Sequence, residues 1–443
     1  MGTRQHFWII ITVALGVLMN PINTTMITVA FARIQESFGA DFTDVSWLVA
    51  SYYIISAVAQ PVMGKISDMA GPRRIFIVGL LLVSASSALA PLSGSIGQLM
   101  VYRAIQALGT SALHPAGISL LKHHVSEKQA RALGVVSFFS SFSAAVGPSV
   151  GGFIIQYSDW KAIFFINIPL IAVLLLLVYF AIPRDSAGSS GSFAELDYIG
   201  IVLFGFLIFG WFVFFQQIAD PNYVLLLANV LLSLIFYSYQ YRARMPFINV
   251  RLIKSNAMLG LIYLQYTMTN MVLYSILFGM PVFLITTAGF QSDQAGLLLL
   301  ALSAPNLLLV PFLAMWAERR GNYKMLSAGA LLTIVALILF YGLKAESGPL
   351  AICIALSLFG IANSAQGFAL QNVLFRIVDE SQIGTFSGLL QTSRFIGTIA
   401  ASCTLGAAFG STITVEGLRM IMLLCLAAAC GACVCVWGML RRG

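Results

Sequence analysis

Two arginines interrupt long apolar runs, and both sit in ordered company. In the run 97–121, Arg103, Gln106, Thr110 and His114 are spaced i, i+3, i+7 and i+11, which puts them on one face of a helix. In the run 384–410, Ser387, Gln391, Arg394 and Thr398 follow i, i+4, i+7 and i+11, a second one-faced polar stripe. Charged groups are costly in hydrocarbon and are functional candidates by default. Such a stripe either lines a substrate cavity or knits helices together within a bundle. Further amides stand in other apolar runs. Asn20 and Asn23 lie beside Pro21, which loosens the helix and frees backbone groups. Gln265, Asn270 and Tyr274 share one run, Asn363 and Gln366 another. Each is a cavity candidate, and each is equally a packing contact. His114 is the one histidine in mid-run, and its ordinary pKa of about 6.5 suits proton cycling. Asp44 and Asp293, at the ends of their runs, are the other coupling candidates alongside Arg103. None of the 16 Asp and Glu residues falls in mid-run. No nucleophile–base set, metal cluster or phosphate loop is present, so neither an enzyme nor a cofactor is expected. The six cysteines all follow residue 352 and have no metal-ligand spacing; they read as small apolar core residues.

The elements that must position these groups are membrane helices. Of 443 residues, 59% are apolar and only 9% charged, against about 25% charged in soluble domains. Such a chain cannot cover a water-facing surface. The net charge of +8 sits in short loops, which is a topology signal rather than a nucleic-acid face. The first apolar run is long enough to span and reads as a helix, not a secretory leader. Runs of about 20 apolar residues number fourteen, so both termini lie on one side. The loops on that side hold 18 of the 24 Lys and Arg, against Arg33, Lys161, Lys344 and Arg419 opposite, with Arg103 and Arg394 inside runs. Both termini are therefore expected in the cytoplasm. The stretch Pro183–Asp197 contains SAGSSGS and reads as a flexible linker. It divides the spans 6 + 2 + 6: an amino-terminal six-helix bundle at 1–182, a linker with two extra helices at 183–256, and a second six-helix bundle at 257–443.

Three glycine-bearing motifs join the polar groups. GKISDMAGPRR follows span two, with Gly64 and Gly71 permitting a tight turn. Asp68, Arg73 and Arg74 place opposite charges there, which can lock one conformation and release another. A weaker echo, Ala317–Gly321, follows span ten in the corresponding place, and repeated halves mark transporters built from rocking bundles. Span five carries AAVGPSVGG, where Gly147, Gly151 and Gly152 allow close packing and Pro148 bends the helix.

GKISDMAGPRR resembles the signature between spans two and three of the major facilitator superfamily, departing from it at Met69 and Pro72. Arg103, Gln106 and Gly109 resemble that family's second motif, and Ala144–Gly152 its antiporter motif. WLVASY (47–52), MPFINVRLIKS (245–255) and MPVFLITTAGFQSDQAG (280–296) are similar to the fourteen-span drug:proton antiporter branch. The resemblance covers the whole chain. It implies an all-α polytopic membrane protein with the major facilitator fold, 14 transmembrane helices and a midplane cavity between two bundles. It further implies secondary active export of small lipophilic compounds by alternating access, in exchange for protons and driven by the proton gradient. The expected setting is the cell membrane, with a small amphiphilic substrate and the bilayer as partners and the monomer as the working form. The branch often has Asp in span one where this chain has Asn23. That departure puts the proton carrier in question. Together with Arg103 and Arg394 it opens an alternative: export or flipping of an anionic or neutral amphiphile without strict proton coupling.

Overall fold

A computed structural model describes residues 3–40, 42–125, 129–185, 196–217, 221–379, 382–409 and 414–441. The described residues form α-helices and no strand. They pack as two compact units. The first, Met1–Phe193 with Val378–Thr392, contains α1 (Thr3–Val29), α2 (Phe31–Phe38), α3 (Phe42–Ala70), α4 (Pro72–Leu89), α5 (Ile96–His124), α6 (Gln129–Tyr157), α7 (Ala162–Phe165) and α8 (Asn167–Ala181). The second, Ala194–Ile377 with Ser393–Gly443, contains α9 (Tyr198–Gln216), α10 (Tyr223–Arg242), α11 (Val250–Ser255), α12 (Ala257–Thr286), α13 (Ser292–Arg320), α14 (Asn322–Tyr341), α15 (Pro349–Ile377) and α17 (Val415–Leu440). Helix α16 (Ile383–Phe409) gives its first turns to one unit and the remainder to the other. The extra pair expected between the bundles thus packs within the second unit. The linker's SAGSSGS stretch lies outside the described residues.

Ten helical stretches among the described residues are long and apolar enough to cross a membrane. The runs 97–121, 132–156, 294–316 and 384–410, expected from the sequence as four further spans, fall on the helices α5, α6, α13 and α16, each of 27 to 29 residues, which are not among those ten. Polar caps start several helices. Ser95 accepts from the N–H of Gln98 at α5, and Thr414 from Gly417 at α17. Gly71 (φ 99°, ψ 132°) turns the chain from α3 into α4, with Pro72 ready-set for the first helical position. Gly321 (φ 86°, ψ 152°) does the same from α13 into α14. The two glycines stand where the sequence carries its motif and the echo, so the repeat extends to backbone conformation.

Within lipid, helices associate by close packing and internal hydrogen bonds more than by exclusion of water. In the first unit α5 packs on α3, α4 and α1, and α1 also on α6. The end of this unit away from Gly71 closes over Trp160, which is buried with Met26, Ile34, Leu48, Leu99 and Phe164. In the second unit α15 packs on α13 and α14, and α17 on α12 and α14. Helices α9 and α10 pack mainly on each other and leave Phe206, Leu227, Leu231 and Leu234 largely exposed, as lipid-facing side chains are. The pair is fastened at one end by Asp197. Its Oδ1 accepts the Gly200 N–H and the Tyr239 hydroxyl, both at 2.8 Å. Its Oδ2 accepts Gln240 Nε2 at 2.8 Å and the Phe247 N–H at 3.1 Å. Four donors fill the four acceptor sites of one carboxylate.

Candidate transport site and gate

Asp68 lies in the last turn of α3, facing the start of α16. Its Oδ1 accepts the Gly384 N–H, and its Oδ2 accepts both the N–H and the hydroxyl of Thr385, all at 2.9 Å. These are first-turn donors, which have no partner inside their own helix. A carboxylate there also meets the positive end of the helix dipole. Contact is close because two glycines permit it. A methyl on Gly64 would overlap the Gly384 carbonyl, and one on Gly388 would overlap the Gln60 carbonyl. The hydroxyl of Thr392 donates to the Ala57 carbonyl at 2.6 Å and completes the seam.

Arg73 and Arg74 were expected to oppose Asp68 in charge, but no ion pair joins them. Their main-chain N–H groups, at the start of α4, instead donate to the two oxygens of Asp185 at 3.0 Å each. The motif therefore works through two carboxylate caps, Asp68 on α16 and Asp185 on α4. A side chain at Gly71 would overlap the Asp185 carboxylate, so the glycine is required by space as well as by φ. Near Asp185, burial, with His123 adding, pushes the His124 imidazole below its ordinary value.

The stripe on α5 forms the polar core of the first unit. Arg103 is 1% exposed. Its Nη1 donates to Gln106 Oε1 at 2.7 Å and to the Asn23 carbonyl at 3.3 Å, and the guanidinium lies 4.3 Å from the Tyr52 ring. Gln106 Nε2 donates to Asn23 Oδ1 at 3.2 Å. Asn23 and Asn167 exchange amide hydrogen bonds at 3.0 and 2.9 Å. Asn20 donates to Thr110 Oγ1, which also lies 2.6 Å from the Tyr52 hydroxyl. Asn20, Asn23, Arg103 and Gln106 are thus one buried network. Arg103 has no carboxylate partner, and its Nε has no hydrogen-bond partner among the described residues. His114 lies further along α5, with Nε2 2.8 Å from Gln391 Nε2 on α16. An amide nitrogen only donates, so the contact fits the neutral ring with its proton on Nδ1. Asp44 is exposed in the first turn of α3.

On α6, a methyl at Gly147 would overlap the Thr25 hydroxyl, and one at Gly151 would press on the Met26 backbone. The antiporter-type glycines therefore seat α6 against α1. Gly152 is half-buried on the same helix. The side chains of Pro148 and Asp293 lie outside the described residues.

The second unit holds the other amides. Gln366 Oε1 accepts from Gln265 and from Thr269 at 3.3 Å each, and its Nε2 donates to Thr333 Oγ1 at 2.8 Å. Thr269, Thr333 and Gln366 border a small cavity otherwise walled by Met268, Val272, Ala330, Ala429 and Ala432. Asn270 donates back to the Tyr266 carbonyl of its own helix at 2.8 Å. Tyr274 is buried with its ring 5.4 Å from that of Phe278. Asn363 is half-buried on α15, and Arg394 is buried with its guanidinium 4.7 Å from the Phe395 ring.

Sequence reasoning missed four participants. Thr385, Asp185, Asn167 and Tyr52 each complete a named residue's bonding. Asn167, a lone amide in an apolar run, and Tyr52, the last residue of WLVASY, carried the local signals among them.

Two units of long helices, internal polar networks and carboxylate-capped junctions are the architecture of a polytopic membrane transporter. The sequence profile of the Major Facilitator Superfamily matches residues 13–402 and 262–443, and the chain belongs to that superfamily. It is 36% identical to the uncharacterized MFS-type transporter YwoD of Bacillus subtilis (strain 168), over 94% of this chain and 93% of that one. It is 26% identical to the tetracenomycin C resistance and export protein of Streptomyces glaucescens, over 93% and 78%. The crystal structure of the human organic anion transporter MFSD10 (TETRAN) has the same fold, with a TM-score of 0.69 at 14% identity over 98% of this chain and all of that one. The relatives are transporters, and the chain is an integral membrane transporter rather than an enzyme.

Proposed function

We propose that the chain exports small lipophilic compounds across the cell membrane by alternating access, in exchange for protons. In this reading it has fourteen spans with both termini cytoplasmic, works as a monomer and needs no cofactor beyond the proton gradient. The observation that carries the reading is the Asp68 carboxylate on the first turn of α16. Three charge-assisted bonds hold a helix end that nothing covalent fixes, and such a contact can be made and released as a unit. The export named for the Streptomyces relative supports the direction of transport. His114 is the proposed proton carrier. Its neutral form accepts from Gln391, and protonating Nε2 replaces that acceptor with a donor, so the pair must rearrange.

A second reading is export of an anionic or neutral amphiphile. It is favoured by Arg103, a buried cation with amides, a carbonyl and a ring around it but no carboxylate. One experiment separates the two. Energised cells expressing the chain are loaded with a cationic or an anionic dye, with and without a protonophore. Export of the cationic dye, abolished by the protonophore, is expected. Export of the anionic dye alone, or indifference to the protonophore, gives the second reading instead.

A further inference from the structure

Between Asp220 and Asp293 the sequence has no acidic residue, and its only cations there are Arg242, Arg244, Arg251 and Lys254. All four are exposed and stand at one end of the α9–α10 pair. Among the described residues no ion pair joins any of the four to a carboxylate, and the oxygens of Asp197 are occupied by its own four donors. The arrangement is built rather than scattered. Arg251 is fixed by two main-chain carbonyls, with Nε on Tyr241 at 2.6 Å and Nη2 on Ala243 at 3.2 Å. Its guanidinium lies 5.6 Å from the Tyr241 ring, and the Lys254 ammonium lies 5.4 Å from the same ring. Arg242 and Arg244 flank the Ala243 carbonyl that Arg251 holds.

Tyr241 in turn stacks on Tyr237 at 6.1 Å, and both rings are exposed. One turn deeper the surface is lipid-facing, with Leu234 and Ile235 more than half exposed. Exposed tyrosines at the end of an apolar helix mark the headgroup level of a bilayer. Cations gathered there with no ion-pair partner among the described residues repel one another, and an anion that joins them relieves the repulsion. The general Lys/Arg bias of loops accounts for the presence of cations but not for two of them converging on one ring.

We propose that Arg251 and Lys254, converging on Tyr241 and flanked by Arg242 and Arg244, bind the phosphate of an anionic phospholipid at the α11 end of the α9–α10 pair. The chemistry is phosphate recognition by cations fixed at headgroup depth, and the lipid is chosen over free phosphate because apolar helix surface continues from the site.

The test is native mass spectrometry of the full chain released from nanodiscs of equal phosphatidylcholine and phosphatidylglycerol. Wild type is expected to retain phosphatidylglycerol preferentially. Each cation at an anionic surface contributes enough that R251Q/K254Q should lose roughly thirty-fold of that preference, and K254Q alone about five-fold. K254Q removes no hydrogen bond and so tests the site without loosening α11. The R319Q/R320Q variant, at the end of α13, should retain the preference. Unchanged retention in K254Q and R251Q/K254Q overturns the proposal, as does an equal loss in R319Q/R320Q. Displacement of the bound lipid by excess inorganic phosphate assigns the site to free phosphate and also overturns it.

Discussion

Asp68 takes two hydrogen bonds from Thr385, one from the main chain and one from the hydroxyl, both at 2.9 Å and across 317 positions of sequence. The main-chain bond and its neighbour from Gly384 cap the helix, while the hydroxyl bond adds a side-chain lock. Hydrogen bonds to a charged group are worth about 1.5–3 kcal/mol each. Asp68→Asn should therefore slow dye export in proteoliposomes roughly ten-fold or more. Thr385→Val, which removes only the hydroxyl, should cost several-fold less. Equal losses in the two variants would place the function in the hydroxyl rather than in the helix cap.

The His114–Gln391 pair predicts a change of energetics rather than of affinity. His114→Gln keeps an amide at the contact but cannot take up a proton near neutral pH. Export driven by a pH gradient should be lost, while downhill exchange of dye across the membrane persists. A His114→Gln variant with the wild-type dependence on external pH would remove the histidine from coupling.

Space along α3 and α16 makes a third prediction. Gly64→Ala and Gly388→Ala both drive a methyl into a main-chain carbonyl, and overpacking of this kind costs about 1–3 kcal/mol. Both should lower the unfolding temperature in detergent and weaken export. Gly260→Ala on α12 meets open space and should be silent. Thermal unfolding of the three variants side by side is the check.

Asn23 offers a test of the second reading. Asn23→Leu leaves Asn167 without its amide partner, and an orphaned buried polar group costs about 1–3 kcal/mol. Asn23→Asp puts a carboxylate beside Arg103 and balances its charge. If Arg103 selects anions, Asn23→Asp should shift export toward cationic dyes. An unchanged ratio of cationic to anionic export would confine Arg103 to holding the bundle together.

The long helices were legible because hydrophobic runs of this length admit no other structure. The polar stripe on α5 was legible because its period is that of the helix itself. Asp68 could be singled out by its motif, yet its partner could not, since Thr385 lies in an ordinary IGTFSG stretch and meets Asp68 only through tertiary packing. Asp185 stands in the Pro183–Asp197 linker with nothing local to mark it, and its two bonds to α4 take the place of the expected pairing of Asp68 with Arg73 and Arg74. Sequence spacing alone leaves the amides open between cavity lining and packing. For Asn20, Asn23 and Gln106 the hydrogen bonds run inward among α1, α5 and α8, because each amide finds its partners within its own unit. The pairing of Asn23 with Asn167 rests on two helices meeting, which periodicity within either one does not encode.

Asp197 binds the start of α9, the end of α10 and the segment leading into α11 through one carboxylate. Its consequence lies in how the molecule comes apart. Main-chain amides in these three pieces share a single keystone, so they should exchange with deuterium together, as one cooperative block with its own opening free energy. Replacing that one side chain should then quicken exchange over the whole α9–α11 region while leaving the rest of the protein at its original pace.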